Sequence, residues 1–120
     1  MLTRAGYQTA YLGKWHLWAN ELGHHEETRN GFVPPGPYRL GFDGYWAAYN
    51  FNHTYNHAPY FRDTPHRETH GHYQPESQTT LAIEWLRAAA ARPAPFALFL
   101  SWGPPHDPWG WDNAPPAQSG

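Results

Sequence analysis

Cysteine is absent from the sequence, which excludes disulfides, thiolate metal sites and a cysteine nucleophile within these 120 residues. Charge is also scarce: charged residues make up 15% of the chain, the formal net charge is -2, and lysine and arginine form no dense run. Because contacts to a phosphate backbone need a concentrated basic face, we predict no nucleic-acid partner. No apolar stretch approaches the roughly 18 residues of a membrane span, so we predict no such span.

Lysine is nearly absent as well, because Lys14 stands alone against seven arginines. The chain is instead rich in proline, histidine and tryptophan, with 13, 9 and 7 residues. A hydrophobic fraction of 40% and an aromatic fraction of 18% are enough to build a core, which argues against disorder. A chain of 120 residues is expected to form a single unit or a piece of one.

Two strands are predicted near the two ends of the chain. Gln8 to Leu12 is a short segment that runs into Gly13 and follows the end of a helix at residues 2–6. Phe96 to Leu100 is a continuous apolar run after a proline, which is typical of a strand buried on both faces of a parallel sheet.

One helix and one long irregular segment are predicted between these strands. Residues 77–91 carry apolar side chains at three- and four-residue spacing, with Ser77 as N-cap and Pro93 beyond the end. Residues 18–76 show no sustained period and are rich in proline and glycine, so we expect mostly ordered loop. The order of a strand, an irregular segment, a helix and a second strand predicts an α/β fold with parallel strands.

Polar residues follow both predicted strands. Lys14 and His16 come directly after the first strand, and His106 follows the last. Ligands of open α/β sheets bind at the carboxyl ends of strands, so these three side chains are expected at one rim. An ammonium beside two imidazoles suits a sulfate or phosphate ester. The residues alone are also compatible with a structural interpretation, in which Lys14 is a surface charge, His16 a packed imidazole and His106 a turn residue.

Three segments resemble one family. Residues 5–17, Ala-Gly-Tyr-Gln-Thr-Ala-Tyr-Leu-Gly-Lys-Trp-His-Leu, look like the second signature of the type I sulfatases, which ends in Gly-Lys-Trp-His. Residues 41–56, with Gly-Phe-Asp, Tyr-Trp and Asn-Phe-Asn-His-Thr-Tyr-Asn, are similar to the segment that bacterial sulfatases carry next. Residues 96–108 are similar to the family's strand and its Pro-His-x-Pro turn. The three matches occur in the family's order.

The resemblance implies an alkaline-phosphatase-like α/β fold and the hydrolysis of sulfate esters, using a formylglycine and a calcium ion. By this resemblance Lys14 would bind the sulfate and the formylglycine, and His16 would hydrogen-bond the formylglycine hydroxyl. His106 would contact the sulfate and assist the leaving oxygen. The substrate would be a small sulfate ester or a saccharide, with His53 and Tyr55 lining the pocket for its alcohol part.

Parts of the family pattern are missing. The nucleophile motif, Cys or Ser followed by x-Pro-Ser-Arg, is expected before Gly6, and neither it nor the family's calcium-binding aspartates occurs in the chain. Calcium and formylglycine would therefore belong outside this segment. Contacts to the anion alone bind the substrate but do not stabilise the transition state. We therefore predict that the chain is a part of a sulfatase catalytic domain and is inactive by itself.

Other interpretations remain at this point: a phosphate or phosphonate ester hydrolase of the same superfold, and a non-catalytic anion- or metal-binding remnant. The histidine spacings at 53 and 57 and at 66, 70 and 72 are compatible with zinc, but no carboxylate stands between them in a helical pattern. The tryptophans at 102, 109 and 111 are expected either to stack on a sugar or aryl group or to cover the sheet edge. Asp107 is predicted to be a turn residue.

Overall fold

The structure, a computed structural model, describes residues 2–24 and 27–115. The elements in chain order are β1 (Gln8–Lys14), α1 (Thr28–Gly31), β2 (Tyr45–Tyr49), β3 (Pro59–Tyr60), β4 (Glu68–Thr69), α2 (Gln74–Ala90) and β5 (Phe96–Ser101). Three of the strands form a parallel sheet, and β3 and β4 form a short antiparallel pair. The fold is mixed α/β, as the sequence predicted. No helix within the described ranges has the length and hydrophobicity that crossing a bilayer requires.

β1 is the central strand of the sheet, whose strand order is β2-β1-β5. Its register places Lys14 opposite Tyr49 of β2 and Gly13 opposite Ser101 of β5. Both pairs are parallel, and parallel strands need long crossover connections, which the chain supplies between β1 and β2 and, through α2, before β5. The carboxyl ends of all three strands consequently lie at one edge of the sheet.

The two faces of the sheet are covered differently. On one face α2 brings Ala82 and the partly buried Trp85 against Ala10 and Leu12 of β1. On the other face the alternate residues of β1 and β2 build an aromatic cluster, in which the rings of Tyr11 and Trp46 stack with centroids 5.4 Å apart. Alternation of side chains along β1 therefore buries both of its faces.

The structure adds one element to the expectations and corrects two. Residues 18–76 are mostly loop, as predicted, but they also contain the unpredicted strand β2, which has no alternating pattern because four of its five residues are buried. The helix begins at Gln74, not Ser77, because Pro75 occupies the first turn, where its missing N–H costs nothing. β5 is not buried on both faces, since it lies at the sheet edge with Phe96 and Phe99 42% and 53% exposed.

A buried arginine organises the loop between β1 and β2. Arg39 is 2% exposed, and its guanidinium lies 4.4 Å from the centroid of the Trp46 ring. It donates hydrogen bonds to the carbonyl oxygens of Val33 and Arg62 and to the carboxylate of Asp63, 2.6 Å away. One side chain thus ties the loop to the aromatic face of the sheet and to the segment after β3.

His70, one of the candidate zinc ligands, is part of the fold instead. It is 3% exposed, and its ring stacks on that of Tyr60 with centroids 4.4 Å apart. Burial lowers the pKa of His70 to about 4, and the neighbouring Glu68 carboxylate only partly opposes this. The imidazole is therefore neutral in the folded protein throughout the physiological range.

The protein is expected to lose stability as the pH falls from about 6.5 to about 4, because the unfolded chain takes up a proton at His70 that the folded chain excludes. The contribution of the neutral His70 to the free energy of unfolding is complete above the unfolded pKa. It falls by about 1.4 kcal/mol per pH unit below that value, and the total loss is near 3 kcal/mol. Urea unfolding at several pH values measures it. The variant His70→Phe keeps an aromatic ring against Tyr60 and should lack this component, whereas the exposed His66→Phe should retain it. Parallel pH profiles for both variants would contradict the assignment.

Candidate functional site

Lys14 lies where β1 reaches the carboxyl edge of the sheet, and Gly13 allows it to lie there. Gly13 has a φ of 101°, and a Cβ atom at this position would lie 1.9 Å from the carbonyl oxygen of Ser101. Only glycine permits this close approach of β5. Beyond Lys14 the chain continues along β2: the N–H of Trp15 donates to Tyr49 and that of His16 to Asn50, at 2.8 and 3.0 Å.

The aromatic ring of Phe51, just after β2, is surrounded by predicted site residues. The ammonium nitrogen of Lys14 lies 5.6 Å from its centroid, and the His16 ring lies 4.9 Å away. His53 packs on the same ring at 4.8 Å and stacks against His106 at 4.7 Å. The ends of β1 and β2 and the loop after β5 therefore bring Lys14, His16, His53 and His106 into one cluster.

The ammonium of Lys14 is shielded from solvent and has no hydrogen-bond partner among the described residues. Burial lowers the pKa of Lys14, and the carboxylate of Asp107 acts in the opposite direction. A buried cation without hydrogen bonds is costly, and an anion placed beside it would relieve that cost. This is the strongest indication of a ligand anywhere in the cluster.

His16 is exposed and has a left-handed backbone, with a φ of 51°. Such a conformation is uncommon outside glycine and is frequent at functional sites. Burial is the main cause that lowers the pKa of His16, and the nearby positive charges of Lys14 and His106 lower it further. His16 is consequently a neutral hydrogen-bonding group near pH 7.

Asp107 belongs to the cluster, although the sequence alone indicated only a turn residue. Its carboxylate lies 2.8 Å from Nδ1 of His106, and its charge acts on Lys14. A carboxylate on Nδ1 fixes the orientation of an imidazole and leaves Nε2 for another partner. In the sequence Asp107 directly follows His106, which is the signal that could have identified it. Because it also precedes Pro108, it was interpreted as a turn residue.

Buried polar groups hold the loop that carries His106. The hydroxyl of Tyr55 donates to the carbonyl oxygen of His106 at 2.6 Å, so this residue, 2% exposed, anchors the turn. Gln74, fully buried at the start of α2, accepts hydrogen bonds from the hydroxyl of Tyr49 and the N–H of Gly103. No sequence pattern singles out Gln74, but the neighbouring Pro75 marks the start of the helix.

Candidate metal ligands do not gather into a metal-binding group anywhere in the described part of the chain. In residues 2–24 and 27–115, no three histidine, aspartate or glutamate side chains approach closely enough to hold an ion. His57, His66 and His72 are exposed, and His70 is stacked on Tyr60. These residues therefore fit neither a zinc site nor the calcium site of the sulfatases, and the absence of cysteine leaves no cysteine precursor of formylglycine.

The fold and the cluster together define an α/β protein with one lysine and three histidines gathered at the carboxyl edge of a parallel sheet. A family model described as Sulfatase matches residues 1–120. The chain belongs to the sulfatase family, whose members are sulfuric ester hydrolases.

Three relatives illustrate the match. An "Ulvan-active sulfatase" of Formosa agariphila is 39% identical over 106 residues, which are 88% of this chain and 19% of that protein. The solved structure of the sulfatase-family protein yidJ from Bacteroides fragilis has 30% identity and a TM-score of 0.78, covering 96% of this chain and 26% of its own. A Bacteroides thetaiotaomicron structure, from a locus for the metabolism of multiple glycosaminoglycans, shares the fold with 23% identity and a TM-score of 0.76, over 93% and 25% of the two chains. The chain thus spans about a fifth to a quarter of these relatives.

Proposed function

We propose that residues 1–120 are one part of a sulfatase catalytic domain and supply the groups that bind the sulfate and assist the leaving oxygen. The buried Lys14 ammonium without a hydrogen-bond partner among the described residues carries this proposal. It is the group that an anionic ester requires, and it lies at the sheet edge where open α/β folds bind ligands. The sulfatase relatives favour a sulfate ester over the phosphate and phosphonate alternatives.

Each residue of the cluster has a proposed role. Lys14 binds the sulfate group through its ammonium, as a point charge with three donors. His106, oriented by Asp107 on Nδ1, directs Nε2 to the leaving oxygen and donates a proton to it. His16, neutral near pH 7, forms a hydrogen bond to the group that attacks sulfur, which these residues do not provide.

Two components of the family's chemistry are proposed to come from other segments. In sulfatases formylglycine supplies the nucleophile and calcium neutralises the sulfate oxygens. Neither can be placed on the described residues, so the steps assigned to this chain are confined to anion binding and proton transfer. We expect the isolated chain to bind sulfate without turning over p-nitrophenyl sulfate, even with calcium added. Turnover that depends on Lys14 would contradict this division of roles.

The substrate is proposed to be a sulfated saccharide, as the name of the Formosa agariphila relative indicates for that protein. His53 and Tyr55 then border the alcohol part of the ester. His53 stacks directly on His106, and Tyr55 lies below the same turn and lines a cavity of about 250 Å³ beside it.

Replacing Lys14 by glutamine is expected to weaken the binding of sodium sulfate by about 10-fold or more, because a charge-assisted hydrogen bond is lost. Calorimetric titration of the full chain measures this. Lys14→Arg should retain binding, and Arg87→Gln, which removes an exposed charge in the last turn of α2, should leave it unchanged. Equal affinity in the Lys14→Gln variant and the parent would overturn the proposal.

The pH dependence gives an independent check on the same site. Because burial lowers the pKa of Lys14 below 10.5, sulfate binding should decline at a lower pH than for an ordinary lysine. The ammonium binds the anion below this pKa, and the neutral amine formed above it does not. The Lys14→Arg variant stays charged and should show no decline over the same alkaline range.

A further inference from the structure

A groove runs from His106 along the loop that follows β5. His106, Tyr55 and Trp109 line a cavity of about 250 Å³, which shares Tyr73, Ala114 and Pro115 with a second cavity of about 640 Å³. The second cavity is bordered by the start of α2 and by Trp111. Its volume lies within the range of about 300–1,000 Å³ that is usual for ligand sites.

Two indole rings border this groove and face solvent. Trp109 is 82% exposed and Trp111 is 95% exposed. The indole N–H of Trp109 donates to the carbonyl oxygen of Pro105 at 2.7 Å, so its ring is held in place although it is exposed. A large exposed apolar ring that is fixed by its polar end is a ready surface for stacking.

The backbone beneath the rings is tied to the segment that carries His53. Asn113 accepts a hydrogen bond from the N–H of Tyr55 at 2.9 Å and donates to the carbonyl oxygen of His53 at 3.0 Å. Asn56 donates to the carbonyl oxygens of Asp112 and Ala114, at 2.6 and 3.1 Å. These side-chain bonds fix the backbone that carries both tryptophans before any ligand binds.

The rim of the larger cavity is polar. His57, His72, Glu76 and the Asn56 side chain surround it, and these groups offer both donors and acceptors. Exposed indole faces combined with a rim of neutral and charged hydrogen-bonding groups suit a sugar ring, which has an apolar face and hydroxyls at its edge. The carboxylates of Glu76 and Asp112 both border this cavity and make its rim negative, so it does not suit a second sulfate.

We propose that this groove binds the sugar residues that adjoin the sulfated one, so that the substrate is an oligosaccharide or polysaccharide. The proposal rests on the proposed function, because the groove is continuous with His106. One sugar is expected in the smaller cavity against Trp109, and the next over Trp111 beside His72 and Glu76.

The test compares chain lengths on the full chain by calorimetry, with disaccharides and hexasaccharides of ulvan, chondroitin 4-sulfate and carrageenan. At least one hexasaccharide should bind about 10-fold more tightly than its disaccharide. Trp109→Ala and Trp111→Ala should each reduce this advantage by about 3- to 10-fold. Sodium sulfate should bind all of these variants equally. Trp102→Ala, which removes an indole of the same loop outside both cavities, should change nothing.

The outcomes separate this proposal from the proposed function. Sulfate binding that is independent of Lys14 would overturn the proposed function, whatever the length dependence. Equal affinity for both lengths in all three series, with Lys14-dependent sulfate binding intact, would overturn only the groove. Should an alanine variant fail to fold, Trp111→Phe must retain the length dependence, and a hexasaccharide must protect the parent's exposed indoles from acrylamide quenching. Unchanged quenching would overturn the groove.

Discussion

Gly13→Ala is expected to destabilise the protein by about 4 kcal/mol or more, which is a large part of the roughly 5–15 kcal/mol that stabilise a typical domain. Two causes add. The φ of 101° is strained for any residue with a Cβ atom, and that atom would lie 1.9 Å from the carbonyl oxygen of Ser101. A backbone atom cannot rotate away as a side chain can, so β1 and β5 would have to separate.

Gly6→Ala is the matched control for this experiment. Gly6 also has a positive φ, 84°, but no atom lies within 4 Å of a Cβ built there. Its substitution should cost only the backbone strain, about 1 kcal/mol. Urea unfolding of both variants separates strain from crowding. Similar losses for the two variants would show that the contact with Ser101 relaxes, and the account of this strand pair would be wrong.

Arg39→Met should be the second most damaging substitution considered, at about 3–5 kcal/mol. Methionine fills a similar volume but donates no hydrogen bond, so the carbonyl oxygens of Val33 and Arg62 lose a buried donor. The exposed carboxylate of Asp63 can return to water, so most of the cost comes from the carbonyl groups and from the lost contact with Trp46.

Arg29→Met provides the comparison, since Arg29 also forms ion pairs but is 56% exposed. Its partners Glu21 and Glu27 are 58% and 47% exposed. Exposed pairs contribute little, so this variant is expected to change the free energy of unfolding by no more than about 0.5 kcal/mol. Thermal and urea unfolding measure both variants. A loss at Arg29 as large as that at Arg39 would contradict the role assigned to burial.

Local patterns in the sequence were enough to predict the fold class but not all the strands. The first part of β1 was recognised at residues 8–12, although the strand continues through Gly13 to Lys14, and the apolar run of β5 lies between prolines, so both strands are visible locally. β2 was missed because Tyr-Trp-Ala-Ala-Tyr has no period of two and lies among prolines and glycines. It is a strand because β1 pairs with it over five residues. The long-range pairing decides its conformation, and no local signal reports it.

The site residues were predicted more completely than the geometry that supports them. Lys14, His16 and His106 were found through their places after strands and through the family resemblance. In the structure Lys14 and His16 lie against Phe51, and His106 joins them through His53. Their catalytic roles stay predictions. Gln74 was missed because its importance depends on a contact with Gly103, far away in the chain. Asp107 was missed because an aspartate before a proline is typical of a turn, although its partner His106 is the preceding residue.

The strand order also has a kinetic consequence. β1 must meet β2 across one moderate loop but must meet β5 across almost the whole chain, and closing the longer loop costs about 1 kcal/mol more in entropy. Non-local pairing is slow, so the β1–β2 ribbon should assemble first, with its lysine and Phe51 already in place. His106 would then join this group only in the closing step, so the cluster of Lys14, Phe51 and His106 would be complete only after β5 has paired with β1.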